Sequence, residues 1–139
     1  MRGAETSRTI AAMTLRMQEE IGVGTTHVEA RVEGPGGRSR DVRFLVDSGA
    51  MYSLLPDDVW RDIGLEPDRA MSFVLADGTA IERGVSECRI ALMGRQAHTP
   101  VILGEEGDAA LIGVVTLEIF ALVLDPFKRT LRPMNMRLA

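Results

Sequence analysis

Residues 26–46 place the tightest constraint on what this chain can become. Thr26-His27-Val28-Glu29-Ala30-Arg31-Val32-Glu33 alternates, with Val28, Ala30 and Val32 on one face. Residues 39–46 alternate again, with Val42, Phe44 and Val46 on one side, and Gly34-Pro35-Gly36-Gly37 lies between the two runs. A period of two is the signature of a half-buried strand, and a Pro/Gly cluster folds such a strand back on itself. The result is a hairpin with one apolar face, which needs a second layer to cover it.

The rest of the chain supplies that layer in pieces of the same kind. Residues 71–76 read as a strand, Asp77-Gly78 as a tight turn and residues 79–83 as the returning strand. Residues 86–93 and 97–103 pair across Gly94-Arg95, and residues 120–124 and 130–132 flank Asp125-Pro126. Residues 56–64 are the exception. Pro56 and the Asp57-Asp58 pair suit the first turn of a short helix, and Gly64 suits its end. Many short strands and one short helix predict an all-β, barrel-like domain.

The 139 residues suit one domain, over 23–139, preceded by an arm over 1–22 whose stripe of Ile10, Met13, Leu15 and Met17 is ragged. A net charge of −4 gives no electrostatic reason to expect nucleic acid or an anionic membrane surface, and no apolar run reaches the length of a membrane span. Cys88 stands alone, which excludes an intrachain disulfide and fits a reducing, cytoplasmic setting. His27 and His98 with one Cys make no familiar zinc site, and Glu105, Glu106 and Asp108 lack the spacing of a calcium loop, so no metal or other cofactor is expected. Cys88 reads as a small buried apolar residue, His98 as exposed and Trp60 as packing between helix and barrel.

Chemistry concentrates at Asp47-Ser48-Gly49. The apolar run Phe44-Leu45-Val46 carries the acid toward the interior, and Ala50, Leu54 and Leu55 keep the far side apolar. An acid between two apolar stretches is costly to bury alone. One reading is an aspartate that caps a turn by accepting hydrogen bonds from following amides. The other gives every neighbour a task. Ser48 offers a hydroxyl across a symmetric contact, and Gly49 leaves the carboxylate open to close approach. Two such carboxylates facing each other share one proton.

Phe44-Leu45-Val46-Asp47-Ser48-Gly49-Ala50, followed by Ser53-Leu54-Leu55-Pro56, resembles the active-site strand and loop of retropepsin-like aspartic peptidases, in particular the small bacterial and archaeal members. The likeness runs through most of residues 25–133. Leu75-Ala76-Asp77-Gly78-Thr79-Ala80 sits where that family carries its flap, Ala110-Leu111-Ile112-Gly113 where it has a second apolar turn, and Val123-Leu124-Asp125-Pro126 where a strand and turn follow. The resemblance implies a closed acid-protease barrel. It implies Asp47 as the catalytic acid, Ser48, Gly49 and Ala50 as its support, and Ala76, Asp77, Gly78 and Thr79 as a flap over a peptide substrate. Because Leu111-Ile112-Gly113 carries no acid, the active site must be completed by homodimerisation. Phe120, Leu122, Leu124 and residues 131–138 are then candidates for the subunit interface.

Two departures accompany the likeness. Many retroviral members pair an acid two places after the triplet glycine with an Arg after the later Ile-Gly, and here Met51 and Val114 stand there. Joint loss of both partners strands no buried charge. Relatives also often carry Asp or Asn where this chain has Val115. Three functions follow: an endopeptidase, a peptide-binding or dimerisation module that keeps the fold without cleaving, and an unrelated barrel in which Asp47 is a turn residue.

Overall fold

The computed structural model describes residues 25–135. The arm expected over 1–22 and the end of the 131–138 segment lie outside them.

Nine strands and two short helices follow one another: β1 (His27–Glu33), β2 (Ser39–Val46), β3 (Ser53–Leu55), α1 (Asp57–Asp62), β4 (Arg69–Val74), β5 (Ala80–Leu92), β6 (Arg95–Leu103), β7 (Leu111–Ile112), α2 (Val114–Ile119), β8 (Leu122–Asp125) and β9 (Thr130–Pro133). The sheet order β1-β2-β7-β3-β6-β5 returns to β1 through a β1–β5 pairing, which closes six strands into a ring, while β4 extends outward from β5. Closure removes the exposed sheet edges that a small β-domain otherwise has to protect. The expected all-β closed barrel is therefore the fold. β8 and β9 form a separate hairpin.

The hairpin of residues 26–46 is as its alternation demands. Val28 pairs with Phe44 and Ala30 with Val42. Ala30, Val32, Val42, Phe44 and Val46 enter one core with Leu55, Ile90, Val101 and Ile112. A second, smaller cluster of Leu45, Leu54, Ile102 and Leu111 covers the opposite face, so the end of β2 is buried on both sides.

Three features differ from the expected pattern. Residues 79–83 and 86–93 are one strand, β5. The Gly84-Val85 step is where β5 changes partners, from β4 through residues 69–74 to β6 through residues 95–102. Where one short helix is expected there are two, and the second, α2, buries its middle residues Thr116 and Leu117. Ser53–Leu55 and Leu111–Ile112 are strands too short to show a period, yet they complete the ring.

Trp60 is half-buried against the core and its indole N–H donates to Gly104 O at 2.9 Å. Cys88 is buried, and that burial pushes its thiol up to about 12 from an ordinary value of 9.0. Between those limits the unfolded chain binds fewer protons than the folded one, so stability falls as pH rises from about 9 toward 12, with a slope approaching 1.4 kcal/mol per pH unit. Cys88→Ala is expected to remove this component, so denaturation midpoints at pH 8 and pH 10.5 should draw together in the variant; an unchanged difference contradicts it.

Candidate active site

Asp47 follows the last residue of β2, and its backbone is fixed before its side chain matters. Leu45 N donates to Ala110 O at 2.9 Å and Asp47 N to Ile112 O at 2.8 Å, so the parallel β2–β7 pairing carries on to the acid itself. The chain then loops through residues 48–52 before entering β3. This loop has no ladder of its own. It is held by the N-terminus of α2, where Val114 N donates to Ala50 O and Val115 N to Met51 O, each at 2.9 Å. The first amides of a helix have no partner within it. Here the loop carbonyls satisfy two of them, and helix and loop become one unit. Gly113 sits at the junction. A Cβ there would lie 2.6 Å from the Tyr52 carbonyl carbon and oxygen and 2.9 Å from Met51 O.

The carboxylate of Asp47 turns back on its own loop. Oδ1 accepts Gly49 N–H at 2.9 Å, and Asp47 O accepts Ala50 N–H at 3.2 Å. The turn-capping geometry and the placement at the end of an apolar strand thus occur together. Asp47 is 0% exposed in the single chain, while Ser48 and Gly49 are exposed on the outer side of the loop and Ala50 is half-buried. A Cβ on Gly49 would stand 3.4 Å from Oδ1. That distance is sterically tolerable, so crowding does not demand glycine here.

The hairpin β4–β5 carries the four candidate flap residues at its tip. Leu75 N donates to Thr79 O at 2.8 Å and Gly78 N to Leu75 O at 2.9 Å. Gly78 takes φ +86°, the left-handed position that closes a three-residue hairpin loop. Ala76, Asp77, Gly78 and Thr79 are all exposed. Asp77 Oδ1 accepts Thr79 N–H at 2.9 Å, and hydrogen bonds from Thr79 hold the Asp77 carboxyl below the ordinary carboxylate range. The strand beneath is tied to the Asp47 loop. Phe73 of β4 meets Tyr52 edge to face, with ring centroids 6.1 Å apart and planes at 80°, and both rings lie on the second apolar cluster. The structure thus brings the tip end of the hairpin ladder, where Phe73 pairs with Ile81, to the loop that bears Asp47, through an aromatic pair that the sequence did not single out.

Other candidates fall elsewhere. Met51, within the loop, is 65% exposed, whereas Val114 and Val115 are half-buried at the start of α2. The polar group that α2 sends inward is on Thr116, next to the Val115 position, and with Ser53 it forms a buried hydroxyl contact that was not foreseen. Each is a lone small polar residue in an apolar stretch, the one signal available in advance. In the acidic loop, Asp108 is buried and its Oδ2 accepts Glu105 N–H at 2.5 Å, which makes it a turn-closing group. Among the described residues no group of His, Cys, Asp and Glu is arranged to hold a metal ion, and no helix is long and apolar enough to cross a membrane.

Comparison with known proteins bears on this arrangement in two ways. A family model described as aspartyl protease matches residues 28–115, a span that runs from β1 to the first turn of α2 and includes Asp47, the hairpin and Gly113. The solution structure of a simian foamy virus (mac) protease is similar to this chain with a TM-score of 0.50 at 19% sequence identity, covering 68% of this chain and 94% of that one. At that identity the likeness speaks for the fold. No curated protein matches the chain.

Proposed function

The chain belongs to the aspartyl protease family, and on that premise we propose that it is a homodimeric endopeptidase in which Asp47 of one protomer faces Asp47 of its partner. The observation that carries this reading is the asymmetry between two structurally paired turns. β2 ends in Asp47-Ser48-Gly49, while β7, its parallel neighbour, ends in Gly113 with no acid. One chain holds half of a two-carboxylate site, and a two-fold axis through the loop supplies the other half.

In the dimer the two carboxylates share one proton, because like charges in contact do not both ionise. The ionised member takes a proton from a water as that water attacks the peptide carbonyl carbon. The protonated member donates a hydrogen bond to the carbonyl oxygen. Collapse of the tetrahedral adduct breaks the C–N bond as the leaving nitrogen takes from the dyad the proton that the dyad gained from water, which restores the single shared proton. Substrate lies as an extended strand between the dyad and the hairpin tips. Ser48, exposed beside the acid, bonds across the axis, and Ala50 and Gly49 line the approach. Asp47 is 0% exposed in the single chain, so this scheme requires the carboxylate to open to water on pairing. A cytoplasmic enzyme needing no cofactor fits this scheme.

Cleavage is expected to follow a bell-shaped pH profile on the acid side. At the flap tip, hydrogen bonds from Thr79 hold the Asp77 carboxyl below the ordinary carboxylate range. A flat rate from pH 3 to 8 contradicts a shared proton. Phe73→Ala unpins the tip end of the hairpin from Tyr52 and is expected to lower kcat/KM about five-fold, since such aromatic pairs contribute on the order of 1 kcal/mol. Undiminished cleavage in that variant removes the hairpin from the mechanism.

A second reading rests on the same burial. An Asp47 that is 0% exposed and already bonded to Gly49 N–H is also what a non-proteolytic peptide-binding or dimerisation module contains. Sedimentation of the pure protein, paired with peptide-library cleavage by wild type and Asp47→Asn, separates the two. A dimer that cleaves only with Asp47 intact supports the enzyme, and a dimer that cleaves nothing supports the module.

A further inference from the structure

Beneath the Asp47 loop, three buried hydroxyls stand in line. Gly113 N–H donates to Ser53 Oγ at 3.0 Å. Ser53 Oγ lies 2.6 Å from Thr116 Oγ1, and Thr116 Oγ1 lies 2.8 Å from Thr99 Oγ1. Thr99 Oγ1 donates to Pro100 O at 3.4 Å. Ser53, Thr116 and Thr99 are 0%, 0% and 1% exposed, so bulk water does not compete for these groups.

The ends of this line decide its direction. An amide N–H only donates, a carbonyl oxygen only accepts, and each hydroxyl carries a single proton. The arrangement that satisfies every member runs one way: Gly113 N–H to Ser53, Ser53 O–H to Thr116, Thr116 O–H to Thr99, and Thr99 O–H to the Pro100 carbonyl. Hydrogen bonds aligned in this way polarise and strengthen one another in a low-dielectric interior. The line also ties together three elements, β3, α2 and β6, that are far apart in sequence.

We propose that this directional hydroxyl chain positions Asp47, with Thr116 as its central residue. None of the three hydroxyls touches the carboxylate in this arrangement; the effect travels through the Gly113 turn. Fixing Gly113 N–H fixes the peptide that follows Ile112, whose carbonyl receives Asp47 N–H, and the start of α2, whose amides hold Ala50 and Met51. Thr116 thereby sets where the acid stands relative to the two-fold axis. The proposal rests on Asp47 being the catalytic acid, and it makes Thr116 a positioning residue. Mutual satisfaction of three buried hydroxyls, with no bearing on the loop, is the competing account.

The test uses the full chain as wild type, Thr116→Val, Thr116→Ser and Thr99→Val, with steady-state cleavage of a peptide that the wild type cuts and NMR hydrogen exchange at the Gly113 amide. Thr116→Val keeps the shape and loses the hydroxyl. It is expected to lower kcat about ten-fold to a hundred-fold with KM changed less than about two-fold, the pattern of a misplaced reacting group. Gly113 exchange should quicken about ten-fold in the same variant, and Thr116→Ser should restore both readings. Wild-type kcat or unchanged Gly113 exchange in Thr116→Val overturns the proposal, as does an equal loss in Thr116→Ser, which assigns the effect to packing. Should Thr116→Val not fold, Thr99→Val at the far end of the line decides by the same criteria. If the wild type cleaves no peptide, the endopeptidase reading fails while the exchange experiment still decides whether the chain of hydroxyls holds the Gly113 turn.

Discussion

Asp47→Asn is expected to lower kcat by about a thousand-fold or more while leaving the fold and the dimer intact. The two halves of that expectation have separate physical origins. The carboxamide keeps an oxygen where Oδ1 accepts Gly49 N–H, so the turn at the end of β2 retains its 2.9 Å bond. The backbone anchors, Asp47 N to Ile112 O and Ala50 N to Asp47 O, do not involve the side chain. On the proposed mechanism, what disappears is the shared proton. An amide neither ionises to activate water nor donates the acidic proton to a carbonyl oxygen, and a symmetric dimer loses both functions with one substitution. Circular dichroism and sedimentation should match wild type. Cleavage at more than about a tenth of the wild-type rate removes Asp47 from the chemistry.

The second large effect comes from glycines whose objection to a side chain is space alone. Gly113 has φ −98°, open to any residue, yet a Cβ would stand 2.6 Å from the Tyr52 carbonyl. Gly34, in the β1–β2 turn, is more crowded still, with a Cβ 1.8 Å from Ile63 O at the end of α1. Both contacts are with backbone, which cannot rotate aside. Each Gly→Ala change is expected to destabilise by about 3 kcal/mol, at the upper end of ordinary overpacking. Their effects on activity should diverge. Gly113→Ala pushes directly on the loop that holds Asp47 and should reduce kcat per folded dimer about a hundred-fold. Gly34→Ala strains a turn with no direct link to that loop and should leave kcat per folded dimer near wild type. Denaturation midpoints together with kcat at a temperature where each variant stays folded check both. Equal activity losses in the two variants contradict a specific role for the Gly113 turn.

The parts of this structure that were legible in advance are those whose signal is local. The alternation of Val28, Ala30 and Val32 against Val42, Phe44 and Val46 dictates the first hairpin, and that hairpin leads to Asp47. Asp77-Gly78 announces its own turn because the left-handed residue favours glycine. Asp57 and Asp58 mark the first turn of α1 in the same way. The parts that were hidden depend on partners distant in the chain. Leu111–Ile112 is a strand only because β2 and β3 lie on either side of it. The break suggested at Gly84 is absent because β6 takes over the pairing that β4 relinquishes. Val114–Ile119 has only one and a half turns, too few for a period, and its first amides find acceptors 64 residues away, in Ala50 and Met51.

The candidate site divides along the same line. Asp47, Ser48 and Gly49 are contiguous, and their placement after an apolar strand is written in the sequence. The loop is held from elsewhere, by Gly113, by the first turn of α2 and by Tyr52 against Phe73. Ser53 and Thr116 are 63 residues apart and Thr99 and Thr116 are 17 apart, so no periodicity or spacing rule joins them. Ser53 and Thr116 are minor polar interruptions of apolar runs and Thr99 stands between His98 and Pro100, and burial gives all three a requirement for partners.

The central claim is that each chain contributes half of one active site. Co-refolding wild type with increasing proportions of Asp47→Asn, so that subunits assort at random, tests it most directly. If both aspartates of a pair are needed, activity follows the square of the wild-type fraction, and an equal mixture retains about one quarter of the activity of the same total amount of wild type. A linear decline, with about one half retained at equal proportions, contradicts the shared site, because it means that a single intact Asp47 suffices.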